Sequence, residues 1–130
     1  MNLRLKTNID TEAKLNELQS LLQVSSKAAV MRLAIAYSLK IQGDPRINDG
    51  ILEKYDIKKQ NGSDYIRYTI FGNDEIYYKL MMEQHLESHI TDEIFFPELT
   101  NAHLNRGIIE LQAELKLAKT KEKLLLNLMK

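Results

Sequence analysis

The chain has 130 residues, 44% of them apolar and 28% charged, with 18 basic against 18 acidic side chains. That length buries a real core, and the balance is that of an ordinary globular protein. With no cysteine, disulfides, thiolate metal sites and thiol nucleophiles are excluded.

Zero net charge hides an uneven distribution. Residues 1–60 carry ten Lys/Arg against seven Asp/Glu, residues 61–107 three against eight, and residues 108–130 five against three. Local patches decide contact with phosphate more than net charge does. The N-terminal excess therefore marks a candidate nucleic-acid surface.

Leu3-Arg4-Leu5-Lys6-Thr7-Asn8-Ile9 alternates apolar and polar residues with a strand's period of two. Two short helical patterns follow, and such a strand and two helices cannot bury a core alone. One solution is to pair the strand with its copy in a second subunit, as in ribbon-helix-helix DNA-binding proteins. The outward face of that ribbon carries Arg4, Lys6 and Asn8, side chains suited to phosphates and base edges. A plain helical hairpin with a frayed N-terminus is the alternative.

Asp10 reads as an N-cap and Glu12 as a favourable first-turn charge, with Leu15, Leu18 and Leu22 at helical spacing. Gln23-Val24-Ser25 breaks this helix, and Ser25 or Ser26 caps the next. Val30, Met31, Leu33, Ala34 and Tyr37 form the expected buried stripe, ending near Gly43 with Pro45 beyond. Residues 43–64 are loop-like, with one or two helical turns expected over Ile51 to Lys59. They carry Lys54, Lys58 and Lys59.

Tyr65 to Phe71 alternates and reads as a short strand or as an extended lead into a helix. That helix is expected from Asp74 to Ser88. Thr91 or Asp92 caps another, and Pro97 marks a kink or a new helix start. Gly107 bends the chain or lets two helices approach closely. Ile108 to Lys130 is a long amphipathic helix, with Lys116, Lys119, Lys121 and Lys123 on a solvated face. The expected architecture is mainly α. It is one oligomeric domain over 1–130, with a ribbon-helix-helix-like unit (1–42), a loop region (43–64), a helical body (65–107) and the C-terminal helix.

No set of residues is matched for catalysis. His85 and His89 stand four apart beside Glu83 and Glu87, but the helical zinc pattern needs Glu directly after the first His, where Leu86 stands. Asp44, Asp49, Asp56 and Asp64 fit no calcium loop. Ser25 and Ser26 have no nearby base, and the five glycines are isolated. The expectation is a protein with no metal, no cofactor and no turnover. Without a signal-peptide pattern or an apolar run near the ~20 residues of a bilayer span, it is expected in the cytoplasm.

Four segments carry a resemblance: Leu3-Arg4-Leu5-Lys6-Thr7, Arg32-Leu33-Ala34-Ile35-Ala36-Tyr37-Ser38-Leu39, Arg67-Tyr68-Thr69-Ile70-Phe71-Gly72 and His103-Leu104-Asn105-Arg106-Gly107-Ile108. In that order, over roughly residues 3–112, the chain resembles the DNA sulfur modification protein family DndE. The resemblance implies a small, non-enzymatic, mostly helical component of the machinery that replaces a non-bridging phosphate oxygen of DNA by sulfur. In that machinery a cysteine desulfurase, an ATP-pyrophosphatase-like iron–sulfur protein and an SMC-like ATPase supply the chemistry. It further implies a tetramer that binds duplex DNA, particularly nicked duplex.

On this reading the backbone contacts are Arg4, Lys6, Lys14 and Lys27, then Lys54, Lys58 and Lys59, and the partners are duplex DNA, other sulfur modification proteins and further copies of the chain. The alternatives are a ribbon-helix-helix transcriptional regulator or antitoxin, and a subunit that binds only proteins.

Overall fold

Leu5 is the inward residue of strand β1 (Arg4–Lys6), flanked by exposed Arg4 and Lys6 as the period-two pattern requires. The structure, a computed structural model, describes residues 3–47 and 60–129. After β1 come α1 (Ile9–Leu22), α2 (Lys27–Leu39), β2 (Asp64–Ile66), α3 (Arg67–Phe71), α4 (Glu75–Leu86) and α5 (Thr100–Leu128). The architecture is mainly α, on the order strand, helix, helix, with a long C-terminal helix.

The ribbon has a different partner from the one expected. β1 pairs antiparallel with β2 of the same chain, Arg4 opposite Ile66, Leu5 opposite Tyr65 and Lys6 opposite Asp64. Flanking bonds extend the ladder, from Arg67 N to Leu3 O (2.8 Å) and from Thr7 N to Ser63 O (3.0 Å). A distant part of the same chain thus supplies the strand's backbone partners, and Leu5 is buried beneath it.

Several boundaries also move. Asn8, expected outward, is buried and caps α1 by accepting from Asp10 N at 2.7 Å, so Asp10 is not the cap. Gln23 ends α1 in the left-handed conformation (φ 54°). Ser26 caps α2 through Ala29 N, as its position predicts. α2 stops at Leu39, short of Gly43, and it buries Val30, Met31, Ala34, Ile35 and Ser38. Leu33 is exposed instead, because α2 is apolar nearly all round and its stripe is ambiguous. The alternating run at Tyr65–Phe71 splits into the end of β2 and the single turn of α3, where adjacent Ile70 and Phe71 are both buried. The expected turns over Ile51 to Lys59 lie outside the described residues.

The core forms around α5, which packs along α2 more extensively than any other pair. Leu104, Ile108 and Leu111 of α5 meet Val30, Met31, Ala34 and Ile35 of α2, and Leu15 and Leu18 of α1 close one side. Phe71, Phe95 and Phe96 close the other, with Phe71 and Phe95 ring centroids 5.5 Å apart. A turn at Ile94–Leu99 with a cis Phe96–Pro97 bond leads into α5. Pro97 thus precedes a new helix, and that helix runs unbroken through Gly107. Its backbone allows a close approach of α5 to α2: a Cβ on Gly107 would lie 1.7 Å from the Ala34 carbonyl oxygen. Among the described residues no helix is long and apolar enough to cross a membrane.

Candidate nucleic-acid interface

The ribbon is anchored by one buried carboxylate. Glu12, from the first turn of α1, accepts from Thr7 Oγ1 (2.8 Å) and from Tyr65 OH (2.5 Å) through Oε1. Its Oε2 pairs with Lys27 Nζ at 3.2 Å. Burial, and then the bond to Glu12, push the Tyr65 phenol upward, so it stays a donor. Thr7 Oγ1 also accepts from Ser63 N at 3.1 Å, tying the approach to β2 onto the same centre. One face of the ribbon is thereby fixed to α1 and the start of α2, and Arg4 and Lys6 project from the other.

The sequence candidates divide accordingly. Arg4 and Lys6 are exposed, with Asp64 as the cross-strand neighbour of Lys6. Lys27 is held beside the ribbon by Glu12 and keeps about a third of its side chain accessible. Lys14 points elsewhere: its Nζ donates to Gln112 Oε1 of α5 at 2.7 Å, and Gln112 Nε2 donates to Glu17. The structure therefore sets Arg4 and Lys6 on the outer face of the ribbon, ties Lys27 to Glu12 on the opposite side and places Lys14 at the α1–α5 seam. Lys54, Lys58 and Lys59 lie outside the described residues. Of the tail lysines, Lys116, Lys119 and Lys123 are exposed, as a solvated face requires.

Two other arginines, each within a segment that carries the resemblance, are structural. The Arg67 guanidinium lies 5.4 and 5.2 Å from the Phe95 and Phe96 ring centroids and pairs with Glu75 and Asp92. The bond from Arg67 holds the Asp92 carboxyl below the usual range. Arg106 gathers the end of α2, donating to Ser38 Oγ (2.9 Å), Ser38 O (2.9 Å), Gly43 O (2.7 Å) and Ile41 O (3.1 Å). Arg67 opens the single turn of α3, where Ile70 and Phe71 are also buried, so the period-two run of the sequence does not account for its turning inward.

The histidines do not share a face. α4 ends at Leu86, and left-handed Glu87 (φ 55°) turns the chain. His85 faces inward, with Nε2 2.6 Å from Ile41 O, whereas exposed His89 pairs with Glu83 at 2.6 Å. His103 packs edge-on against His85, ring centroids 5.2 Å apart, with Nδ1 2.8 Å from Ser38 Oγ. Burial, then the nearby Arg106 charge, push His103 down to about 3, so it is neutral. Among the described residues no group of three or more His, Asp or Glu could hold a metal ion.

These elements define a small, mainly helical domain in which a short ribbon is clamped onto a helical pair built around one long helix. The same fold is seen in the crystal structure of DndE from Escherichia coli B7A involved in DNA phosphorothioation modification, with a TM-score of 0.62 and 18% sequence identity over 85% of this chain and 97% of that one. No curated protein sequence is significantly similar to the chain. The family model of the DNA sulphur modification protein DndE matches residues 4–119, and the chain belongs to that family. The expected membership is thus borne out, and with it a place in DNA phosphorothioation.

Proposed function

We propose that the protein is the non-catalytic, DNA-binding subunit of a cytoplasmic DNA phosphorothioation complex, assembling as a homotetramer and preferring nicked duplex. Membership of the DndE family over residues 4–119 is the observation that carries this reading. The ribbon supports it: exposed Arg4 and Lys6 stand on a strand whose inner face is locked, and Lys27 is held by the Glu12 that locks it. Cations held on a rigid edge neutralise phosphates and release counterions without reading bases. Lys54, Lys58 and Lys59 belong to the same proposed surface, and Lys14 is its outlying member. The partners are duplex DNA, further copies of the chain and the other sulfur modification proteins.

The test is fluorescence anisotropy over a salt series on nicked, intact and single-stranded DNA. Replacing Arg4 and Lys6 together by Gln should weaken binding to every duplex and flatten the log-affinity against log-salt slope by about 1.8. Replacing Lys54, Lys58 and Lys59 together by Gln should flatten it by about 2.7. Unchanged slopes in both variants, with a large change on replacing Lys116 and Lys123, would put the DNA surface at the other end of the chain.

One observation favours protein contacts as well. Tyr68, Ile76, Tyr77 and Leu80 are all more than half exposed on α3 and α4, an apolar patch of the kind that marks docking. If no duplex binds at low salt, the reading as a purely protein-binding assembly subunit replaces the first.

A further inference from the structure

α1 and α5 lie side by side until α1 stops at Leu22. There they leave a groove of about 370 Å³ whose lining includes Leu21, Leu22, Leu115, Ala118, Lys119 and Glu122. The face of α5 that lines it continues beyond α1. Leu115, Lys119, Glu122, Leu126 and Met129 follow one another at spacings of four and three, and so fall on one side of the helix. Leu126 is 53% exposed and Met129 82%. Leu125 and Leu128 beside them are exposed too, so the last turns of α5 present an apolar face that nothing described in the chain covers.

We propose that this face pairs two copies of the chain, antiparallel along the distal half of α5, with Leu126 of each entering the groove of the other. This deepens the oligomer proposed above and rests on it.

Charge complementarity selects the occupant. Between its leucines the stripe reads Lys119 then Glu122. A two-fold axis crossing the helices between positions 120 and 121 sets Lys119 against Glu122 of the partner subunit, twice over. The same axis sets Leu115 against Leu126 of the partner subunit. A parallel pairing would oppose each charge to its own copy. A face for DNA or a lipid surface would be uniformly cationic, and this one is self-complementary. An isologous contact of this kind closes on itself and does not propagate into a filament.

The test is sedimentation velocity on the full chain and charge-reversal variants. Lys119→Glu makes the stripe all acidic and Glu122→Lys makes it all basic. Each alone should raise the dissociation constant of the pair about tenfold, because two repulsive contacts replace two attractive ones. An equimolar mixture of the two should associate like the wild type, a rescue that no pairing within one chain can produce. Leu126→Asp should weaken the pair on the order of a hundredfold. Circular dichroism verifies that each variant keeps its helices. A wild-type oligomer indifferent to all three substitutions overturns this interface and leaves the oligomer standing. A wild type with the mass of a single chain at micromolar concentration overturns both.

Discussion

Gly107→Ala should leave little folded protein at 37 °C. In an exposed helix that exchange stabilises by about 1 kcal/mol, so the expected sign here is reversed. The new Cβ would stand 1.7 Å from the carbonyl oxygen of Ala34 and 2.4 Å from its carbonyl carbon. Both are backbone atoms of α2, and no rotamer change can move them. The two helices would have to separate, opening the core where Val30, Ala34 and Ile35 meet Leu104, Ile108 and Leu111. A loss of about 4 kcal/mol or more is expected, a large part of the 5–15 kcal/mol that holds a domain of this size. Gly43→Ala is the control: φ there is +97° and the space is open, so only about 1 kcal/mol of backbone strain arises. Thermal unfolding followed by circular dichroism compares the two. A Gly107→Ala midpoint within a few degrees of wild type would mean that α2 and α5 do not approach as closely as described.

That contact was half legible. An isolated glycine in an otherwise helical stretch signals a bend or a close approach, and only the packing of Ala34 decides between them. The same division runs through the chain. Period two at Arg4–Lys6, helical spacing at Leu15, Leu18 and Leu22, and the Ser26 cap are local signals, and the structure follows them; the alternation expected on to Ile9 stops at Lys6, where Asn8 turns in to cap α1. The partner of β1 is not local. Asp64–Ile66 joins it from some sixty positions away, and a three-residue strand has too little pattern to specify its register. The candidate surface shows the same limit. Exposure of Arg4 and Lys6 follows from alternation within β1. The ties of Lys27 to Glu12 and of Lys14 to Gln112 depend on how α1 packs, which no spacing encodes. The start of α5 at Thr100, and not at Ile108, was hidden because Gly107 looked like a boundary.

Stability should fall as the solution is acidified from pH 7.5 to 5, before most carboxylates protonate. The group responsible is His103, fully buried between α2 and α5. Burial, then the positive Arg106 beside it, hold its folded value down at about 3. His85 and Arg46 oppose its protonation too, and Asp44 favours it. In the unfolded chain a histidine titrates near 6.5. Between these values the unfolded state binds one more proton than the folded state, so unfolding becomes easier as pH falls. The contribution is complete above about pH 6.5 and is withdrawn at about 1.4 kcal/mol per pH unit below it. Roughly 2 kcal/mol should be gone at pH 5, read from urea midpoints at constant ionic strength. His103→Gln keeps a polar partner for Ser38 and removes the titration. Its stability should be lower at pH 7.5 and nearly flat down to pH 5, so the two curves should converge on acidification. If wild type and His103→Gln lose stability in parallel, the proton is taken up elsewhere and His103 is not the neutral, buried group that its surroundings require.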